Sequence, residues 1–165
     1  MIKPFNITQP DWALFVRHLK QVKMARHCLV NDEPRPDTHY FGMMVKERVV
    51  GHIAIRVQPL LVPASKSTDD APLQLTRDDA PLMETFVQTF AVEESFQRRG
   101  YGRALQEAAI QATRELGCYQ MRSWSSGDRQ ANYALKLSMG FGVLPASYPV
   151  PGGETISGVY FVMRV

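Results

Sequence analysis

A strand that leads through a glycine-containing loop into a helix constrains this chain more than any other feature. Apolar residues recur at strand spacing over 82–92, and helical spacing runs from about Gly102 to a stop at Gly117. Glycine adopts backbone dihedrals that other residues avoid, so the amides around Gly100 can approach an anion closely. The unpaired N–H groups and the dipole of the helix N-terminus attract the same anion. The segment therefore predicts a pyrophosphate site.

Spacing narrows the choice of ligand for this loop. Leu105 occupies the third glycine position of a dinucleotide G-x-G-x-x-G fingerprint, and the Gly-Lys-Ser/Thr of a P-loop does not occur. A helix start that needs glycine only for packing is the alternative that a Gly-x-Gly pair leaves open. Arg98, Arg99 and Arg103 place positive charge among the glycines, a pattern that suits a small anion better than a polymer.

The loop Gln97-Arg98-Arg99-Gly100-Tyr101-Gly102 resembles the Q/R-x-x-G-x-G/A signature of the GNAT acetyltransferase superfamily. Val92 precedes the loop at the usual distance and Phe96 takes the aromatic position of that family. The resemblance is close over about 82–141. It implies one N-acetyltransferase domain over 1–165 of the α/β (α+β) class. Its mixed, mostly antiparallel sheet would have helices on both faces.

The resemblance also implies the co-substrate, acetyl-CoA, and how the chain would hold it. In this family the strand before the loop separates from its neighbour and pairs with the pantetheine arm. Phe90 and Val92 would supply those main-chain contacts, with Ala91 between them in the same site. The pyrophosphate would lie on the backbone amides of the loop and first helical turn, namely Gln97, Arg98, Arg99, Gly100, Tyr101, Gly102, Arg103 and Ala104.

The implied reaction is direct attack on the thioester by a primary amine of a small molecule or peptide. Such attack needs a proton acceptor, and a carboxylate or a water held by one is the usual choice. Glu84 shares strand parity with Phe86, Phe90 and Val92, which predicts a carboxylate that points toward the cleft. A solvated carboxylate at the strand end is the equally weighted alternative. A homodimer is a further expectation from the family.

The residue that would donate a proton to the departing thiolate is indicated less directly. The family often places a tyrosine five residues before the Phe of its Gly-Phe pair, and Lys136 takes that position here. Tyr133, one turn earlier on the same helix, is the substitute candidate, with a core or surface aromatic as its alternative. Lys136 is predicted either to contact a cofactor phosphate or to be exposed on a polar face. The missing tyrosine keeps a second function open, a non-catalytic acyl-CoA-binding sensor on the same fold.

The remaining pattern supplies the other elements of one domain. It predicts a helix over 8–23 capped by Thr8, and then a hairpin of strands 39–45 and 49–58. A proline-rich segment follows over 59–81, with an undecided short strand near Leu73–Leu75. The last elements are a helix from a cap at Asp128 to Gly140 and two closing strands over 141–144 and 156–165.

Composition excludes several other functions. The net charge is +3 and no run of five Lys or Arg occurs, so a nucleic-acid surface is not expected. No stretch approaches the ~20 apolar residues of a membrane span. The four histidines lack metal-site spacing, so no metal is expected. A cytoplasmic domain is predicted.

Overall fold

The computed structural model describes residues 1–6, 8–62, 71–149 and 153–165. The first part of the chain contains β1 (Ile2–Phe5), α1 (Trp12–Gln21), α2 (Ala25–Cys28), β2 (Leu29–Val30), β3 (Glu33–Pro34), β4 (Thr38–Val45) and β5 (Arg48–Pro59). Four short strands follow, β6 (Leu61–Val62), β7 (Leu73–Gln74), β8 (Thr76–Arg77) and β9 (Ala80–Pro81). The last part contains β10 (Met83–Val92), a 3₁₀ turn (Glu94–Phe96), α3 (Tyr101–Glu115), β11 (Gln120–Ser126), α4 (Gln130–Ser138), β12 (Gly142–Pro149) and β13 (Thr155–Arg164).

Seven strands form one sheet in the order β1-β4-β5-β10-β11-β13-β12. Neighbouring strands are antiparallel except β10 and β11, which run parallel. The sheet is therefore mixed and mostly antiparallel, as predicted. The predicted hairpin is β4 with β5, and the predicted closing strands are β12 and β13.

Helices cover both faces of the sheet, and each face has its own apolar core. The α1 face buries Phe5, Trp12, Phe15, Val16, Leu19, Cys28, Leu29, Tyr40, Val49 and Ala54. The α3 face buries Met43, Val50, Ile53, Ile55, Leu105, Ala109, Ile110, Met121, Phe141 and Phe161. Ala54 of β5 belongs to the first core and its neighbours Ile53 and Ile55 to the second, because successive side chains of a strand point to opposite faces.

The predicted caps of α1 and α4 are wrong. Helix α1 begins at Trp12, and the hydroxyl and backbone N–H of Thr8 both donate to the side-chain oxygen of Asn6. Helix α4 begins two residues after Asp128, whose carboxylate accepts from the Ser126 hydroxyl. Side chains of these types often bond to nearby groups outside helices. In both places the side chain that was expected to cap the helix instead makes a hydrogen bond within a local turn.

The segment 59–81 forms two small hairpins beside the main sheet. Strand β6 pairs with β7, so the undecided strand near Leu73–Leu75 is present, and β8 pairs with β9. The side-chain amide of Gln74 donates to three backbone carbonyls at 2.9–3.3 Å, including that of Leu82 just before β10. Those bonds tie the base of the segment to the central strand. Residues 63–70 lie outside the described part of the chain.

Gly158 allows β13 to approach β11 closely. A Cβ atom there would lie 2.2 Å from the backbone oxygen of Ser125 and 3.0 Å from the ring of Trp124. We expect Gly158→Ala to lower the free energy of unfolding by about 1–3 kcal/mol, the usual cost of overpacking. Urea unfolding followed by circular dichroism measures this loss.

Gly127→Ala is the matched control for this prediction. Its Cβ would lie 3.7 Å from the nearest atom, the Ser157 oxygen, so we expect a change below about 1 kcal/mol. Equal losses in the two variants would contradict the steric explanation for Gly158.

Candidate active site

The two parallel strands at the centre of the sheet pair over a short stretch and then separate. Glu84–Phe86 of β10 pair with Gln120–Arg122 of β11. Beyond that stretch β10 stays paired with β5 as far as Val92, and β11 stays paired with β13 as far as Ser126. The facing edges therefore leave an opening in the sheet, where the edge of β10 that faces β11 has no strand partner among the described residues.

A β-bulge lies where this opening begins. The register between β10 and β5 shifts between Val87 and Thr89, so Gln88 is the extra residue. A bulge re-aims the side chains that follow it. Val87 lies against the α3 core, and so do Phe90 and Val92, three and five residues later. Odd-numbered residues before the bulge, and even-numbered residues after it, therefore point to the α3 face.

The loop after β10 is held by hydrogen bonds at its start. The side-chain amide of Gln97 donates to the carbonyl of Val92 at 3.0 Å, and the N–H of Glu93 donates to Val50 at 2.9 Å. Gly100 has a φ of +80°, a left-handed conformation that glycine adopts without strain. A Cβ at Gly100 would meet no atom within 4 Å, so the loop is open at this point.

The N-terminus of α3 directly follows this open turn. The first intrahelical bond runs from the Ala104 N–H to the Gly100 carbonyl at 3.0 Å. The N–H groups of Tyr101, Gly102 and Arg103 therefore precede any intrahelical acceptor. Free amides, the helix dipole and nearby arginines are features that favour an anion here, and the pyrophosphate site itself stays a prediction.

Gly102 places this helix N-terminus beside the opening in the sheet. A Cβ at Gly102 would lie 3.3 Å from the Phe90 ring and 3.5 Å from Leu135 of α4. The helix can therefore start in close contact with β10 and α4. The structure brings together the predicted strand residues Phe90, Ala91 and Val92 and the predicted loop residues.

The arginine side chains of the loop are partly engaged by the protein itself. Arg99 donates to the Ser95 carbonyl at 3.0 Å and lies over the Phe96 ring. Arg103 donates to the Ser138 hydroxyl at 2.7 Å and so links α3 to α4. Backbone amides, rather than these side chains, are the groups left for an anion.

Glu84 contradicts one of the two alternatives predicted for it, and its role as a base stays a prediction. It is fully buried, at 0% exposure, so it is not a solvated carboxylate. Its two oxygens accept hydrogen bonds from Gln58, Gln120 and Arg122 at 2.5–3.2 Å. The parity argument for Glu84 is also wrong, because the bulge puts Phe90 on the α3 face, whereas Glu84 lies on the opposite face with Arg122.

Tyr133 lies where β11 borders the opening. Its hydroxyl donates to the Ser125 carbonyl at 3.1 Å, and its ring meets Phe161 edge-on at 5.3 Å. The side chain is half-buried. Its role in proton transfer stays a prediction.

Lys136 contradicts the prediction of an exposed lysine, because its amine points into the core. It is 1% exposed, and its Nζ donates to Gln106 of α3 at 3.2 Å. The ammonium lies 4.5 Å from the centre of the Phe141 ring and 5.8 Å from that of Phe161. Burial lowers the pKa of Lys136 to about 7, since a charged amine is poorly solvated there.

One buried polar group near the opening was not predicted. His18 of α1 was not among the predicted site residues, although it falls on the apolar face between Phe15 and Leu19. Its ring contacts His52 of β5, which in turn contacts Thr89 of β10. A histidine at a core position of an amphipathic helix was the available signal.

No helix in the described part of the chain combines the length and apolarity needed to cross a membrane.

Comparison with known proteins agrees with this arrangement. The sequence profile of the Acetyltransferase (GNAT) family matches residues 5–141. No curated protein matches the chain. Among solved structures, Arabidopsis thaliana NAA60 in complex with acetyl-CoA has a TM-score of 0.70 at 14% identity, covering 100% of this chain and 98% of its own.

Two further solved structures have the same fold. The ribosomal-protein-S18-alanine N-acetyltransferase of Escherichia coli has a TM-score of 0.63 at 16% identity, covering 100% of this chain and 94% of its own. The aminoglycoside N-acetyltransferase AAC(6')-Iy in complex with CoA has a TM-score of 0.57 at 19% identity, covering 86% of this chain and 91% of its own. At these identities the likeness concerns the fold.

The buried amine of Lys136 predicts a pH dependence of stability. Between pH 7 and about 10.5 the unfolded chain keeps the Lys136 proton that the folded chain has lost, so stability rises with pH. The contribution is at most about 1.4 kcal/mol per pH unit. We expect Lys136→Met to be more stable than the wild type at pH 7 and to lose this slope. Urea unfolding at pH 7 and 9.5 measures both, and parallel pH profiles would contradict the prediction.

Proposed function

The chain belongs to the acetyltransferase (GNAT) family, and we propose that it is an N-acetyltransferase that moves the acetyl group of acetyl-CoA to a primary amine. One observation supports this most directly. The free amides at the start of α3 adjoin the unpaired edge of β10, so a diphosphate and an extended arm can be held side by side. Acetyl-CoA, the co-substrate of this family, has both parts.

The geometry supports direct attack within the opening. The diphosphate would bind the N–H groups of residues 98–104, and the pantetheine arm would pair with β10 at Phe90 and Val92. The amine nitrogen then attacks the thioester carbon, a C–N bond forms and the C–S bond breaks. A backbone N–H near Val92 would stabilise the oxyanion, and positioning supplies much of the remaining acceleration.

The acceptor is a primary amine of a small molecule or a peptide. The comparison structures include one enzyme named for a ribosomal-protein alanine and another named for aminoglycosides. Both classes therefore belong in an acceptor panel. A homodimer stays an expectation from the family.

Thiol release tests the proposed function. Acetyl-CoA is mixed with polyamines, aminoglycosides and peptides with free N-termini, and free CoA is measured with a thiol reagent. We expect release that depends on both the protein and an amine. Acetyl-CoA, but not ATP, should also raise the thermal midpoint. Thermal stabilisation without turnover across the panel would favour the acyl-CoA sensor instead.

Gly100→Val tests where the diphosphate binds. A β-branched residue at a φ of +80° is strained by roughly 1–2 kcal/mol, and its side chain would cover the amides. We expect acetyl-CoA affinity to fall at least about tenfold, that is about 1.4 kcal/mol. Isothermal titration calorimetry measures this loss.

Gly117→Val is the control at the other end of α3. Gly117 has a φ of +68° and no atom within 4 Å of its Cβ position, so the backbone strain is similar. Acetyl-CoA affinity should stay unchanged in this variant. Equal losses in the two variants would assign the effect to strain and remove Gly100 from the site.

Tyr133 is our proposed proton donor to the thiolate of CoA. Its hydroxyl lies at the border of the opening, on the Ser125 carbonyl. We expect Tyr133→Phe to reduce kcat by about 100-fold, the lower range for a lost acid, with little change in the KM for acetyl-CoA. Tyr119→Phe, at the residue just before β11, should leave both kcat and the KM for acetyl-CoA unchanged. A wild-type kcat in Tyr133→Phe would exclude the role.

A further inference from the structure

A continuous line of polar side chains crosses the core of the α1 face. The Thr89 hydroxyl lies 2.9 Å from His52 Nε2, and His52 Nδ1 lies 2.9 Å from His18 Nε2. His18 Nδ1 is 3.5 Å from a carboxylate oxygen of Glu93, which also pairs with Arg48. The line runs from the central strand to the surface, because Arg48 is largely exposed and both histidines are buried.

The inner end of this line lies at the opening in the sheet. Thr89 is the first residue after the bulge and follows the last β10 residue paired with β11, Phe86, by three positions. The bulge turns the Thr89 side chain toward α1, while Phe90 packs on the α3 side. Thr89 is 6% exposed, whereas His52 is 0% exposed. Thr89 is therefore slightly exposed where His52 is not, and it lies on the strand whose edge is proposed to hold the thioester.

The charge of Glu93 favours one direction for all the protons. His18 Nδ1 makes no hydrogen bond within the described residues and lies 3.5 Å from the Glu93 carboxylate, whose negative charge favours a proton on that nitrogen, so that His18 accepts on Nε2. His52 must then donate from Nδ1 and accept on Nε2, and the Thr89 hydroxyl is the donor to that nitrogen. With its proton committed to His52, Thr89 can offer an oxygen lone pair to an incoming N–H.

We propose that Thr89 accepts the proton of the attacking amine and that His52, His18 and Glu93 relay a proton to the surface. This inference rests on the proposed acetyl transfer. Acylation of an amine must release one proton from nitrogen, and no carboxylate in the described part of the chain lies free on this face of β10 to take it. Glu84, the predicted base, has its oxygens occupied by Arg122 and two glutamines.

Protons and electron pairs balance in each transfer of the relay. The amine N–H passes to the Thr89 oxygen as the Thr89 proton moves to His52 Nε2. His52 passes its Nδ1 proton to His18 Nε2, and His18 passes its Nδ1 proton to Glu93. Glu93 then releases the proton to water. The amine nitrogen keeps the electron pair that forms the C–N bond, and the C–S pair leaves with the thiolate.

The surroundings keep both rings uncharged between transfers. Burial lowers the pKa of His18, an effect that Glu93 opposes and Arg48 reinforces. Burial and then His18 lower the pKa of His52 to about 3. The ring of Phe15, which is apolar, also packs against His52. A neutral chain moves a proton without leaving a charge inside the core.

Three variants test the proposal at its inner end. Thr89→Val keeps the shape and removes the hydroxyl, and we expect kcat to fall by about 100-fold or more, the range for a lost general base. Thr89→Ser should restore kcat to within about tenfold of the wild type, since its hydroxyl can bond to His52. Thr85→Val is the matched control, because Thr85 is also a buried threonine of β10 but bonds to Thr113 on the opposite face. A wild-type kcat in Thr89→Val, or equal losses in Thr85→Val, would overturn the proposal.

The pH dependence separates a relay from a purely structural network. Without the relay, hydroxide or free amine must take the proton, and both become more abundant as pH rises. The ratio of wild-type to Thr89→Val activity should therefore shrink between pH 7 and 9.5. Glu93→Gln, which cannot take a proton, should show the same trend with unchanged acetyl-CoA affinity. A ratio that is constant with pH would mean that these residues only support packing.

A spectroscopic measurement tests the relay independently of turnover. Long-range ¹H–¹⁵N spectra report which imidazole nitrogen carries the proton, and His18→Gln and His52→Gln variants assign the signals. We expect both rings to be neutral and protonated on Nδ1. Any other tautomer would overturn the relay even if acetyl transfer is confirmed. The expected tautomers without turnover on any amine would instead count against the proposed function, and against the relay that rests on it.

Discussion

The short parallel contact between β10 and β11 is the constraint on which the site depends. Each strand gives three residues to it and is then held by its other neighbour, β10 by β5 and β11 by β13. An unpaired edge is thereby created inside a sheet, where backbone groups need a partner. Gly102 brings the free amides of α3 to the same place. One continuous stretch of chain thus supplies both an unpaired strand edge and a helix N-terminus with free amides.

A buried charge network stands beside that contact. Glu84 lies opposite Gln120, and Arg122 lies opposite Phe86, so the ion pair bridges the two strands where they are still joined. Arg122 also lies between the rings of Phe86 and Tyr160. Glu84 is fully buried, so its carboxylate would be costly without a partner, whereas the Arg122 side chain is 31% exposed and supplies that partner from the surface. The network therefore fixes where the strands begin to separate.

Local signals explain why much of the fold and the cofactor loop could be predicted from the sequence. Strand-forming residues marked β4, β5 and β10, and Gly100 favoured the left-handed turn before α3. Contacts between distant residues explain the errors. The bulge after Val87 reverses strand parity without a sequence signal, and the burial of Lys136 depends on Gln106 of another helix and on two rings of the closing strands.

The unpaired edge of β10 also has a consequence for the behaviour of the protein in a crowded solution. A free strand edge is a template for any extended chain, and natural sheets usually cover or charge such edges to avoid aggregation. Here an extended ligand would take the place of the missing strand. Loss of that ligand would then expose the unpaired strand edge as well as stop turnover. The supply of co-substrate would therefore also affect how readily the protein aggregates.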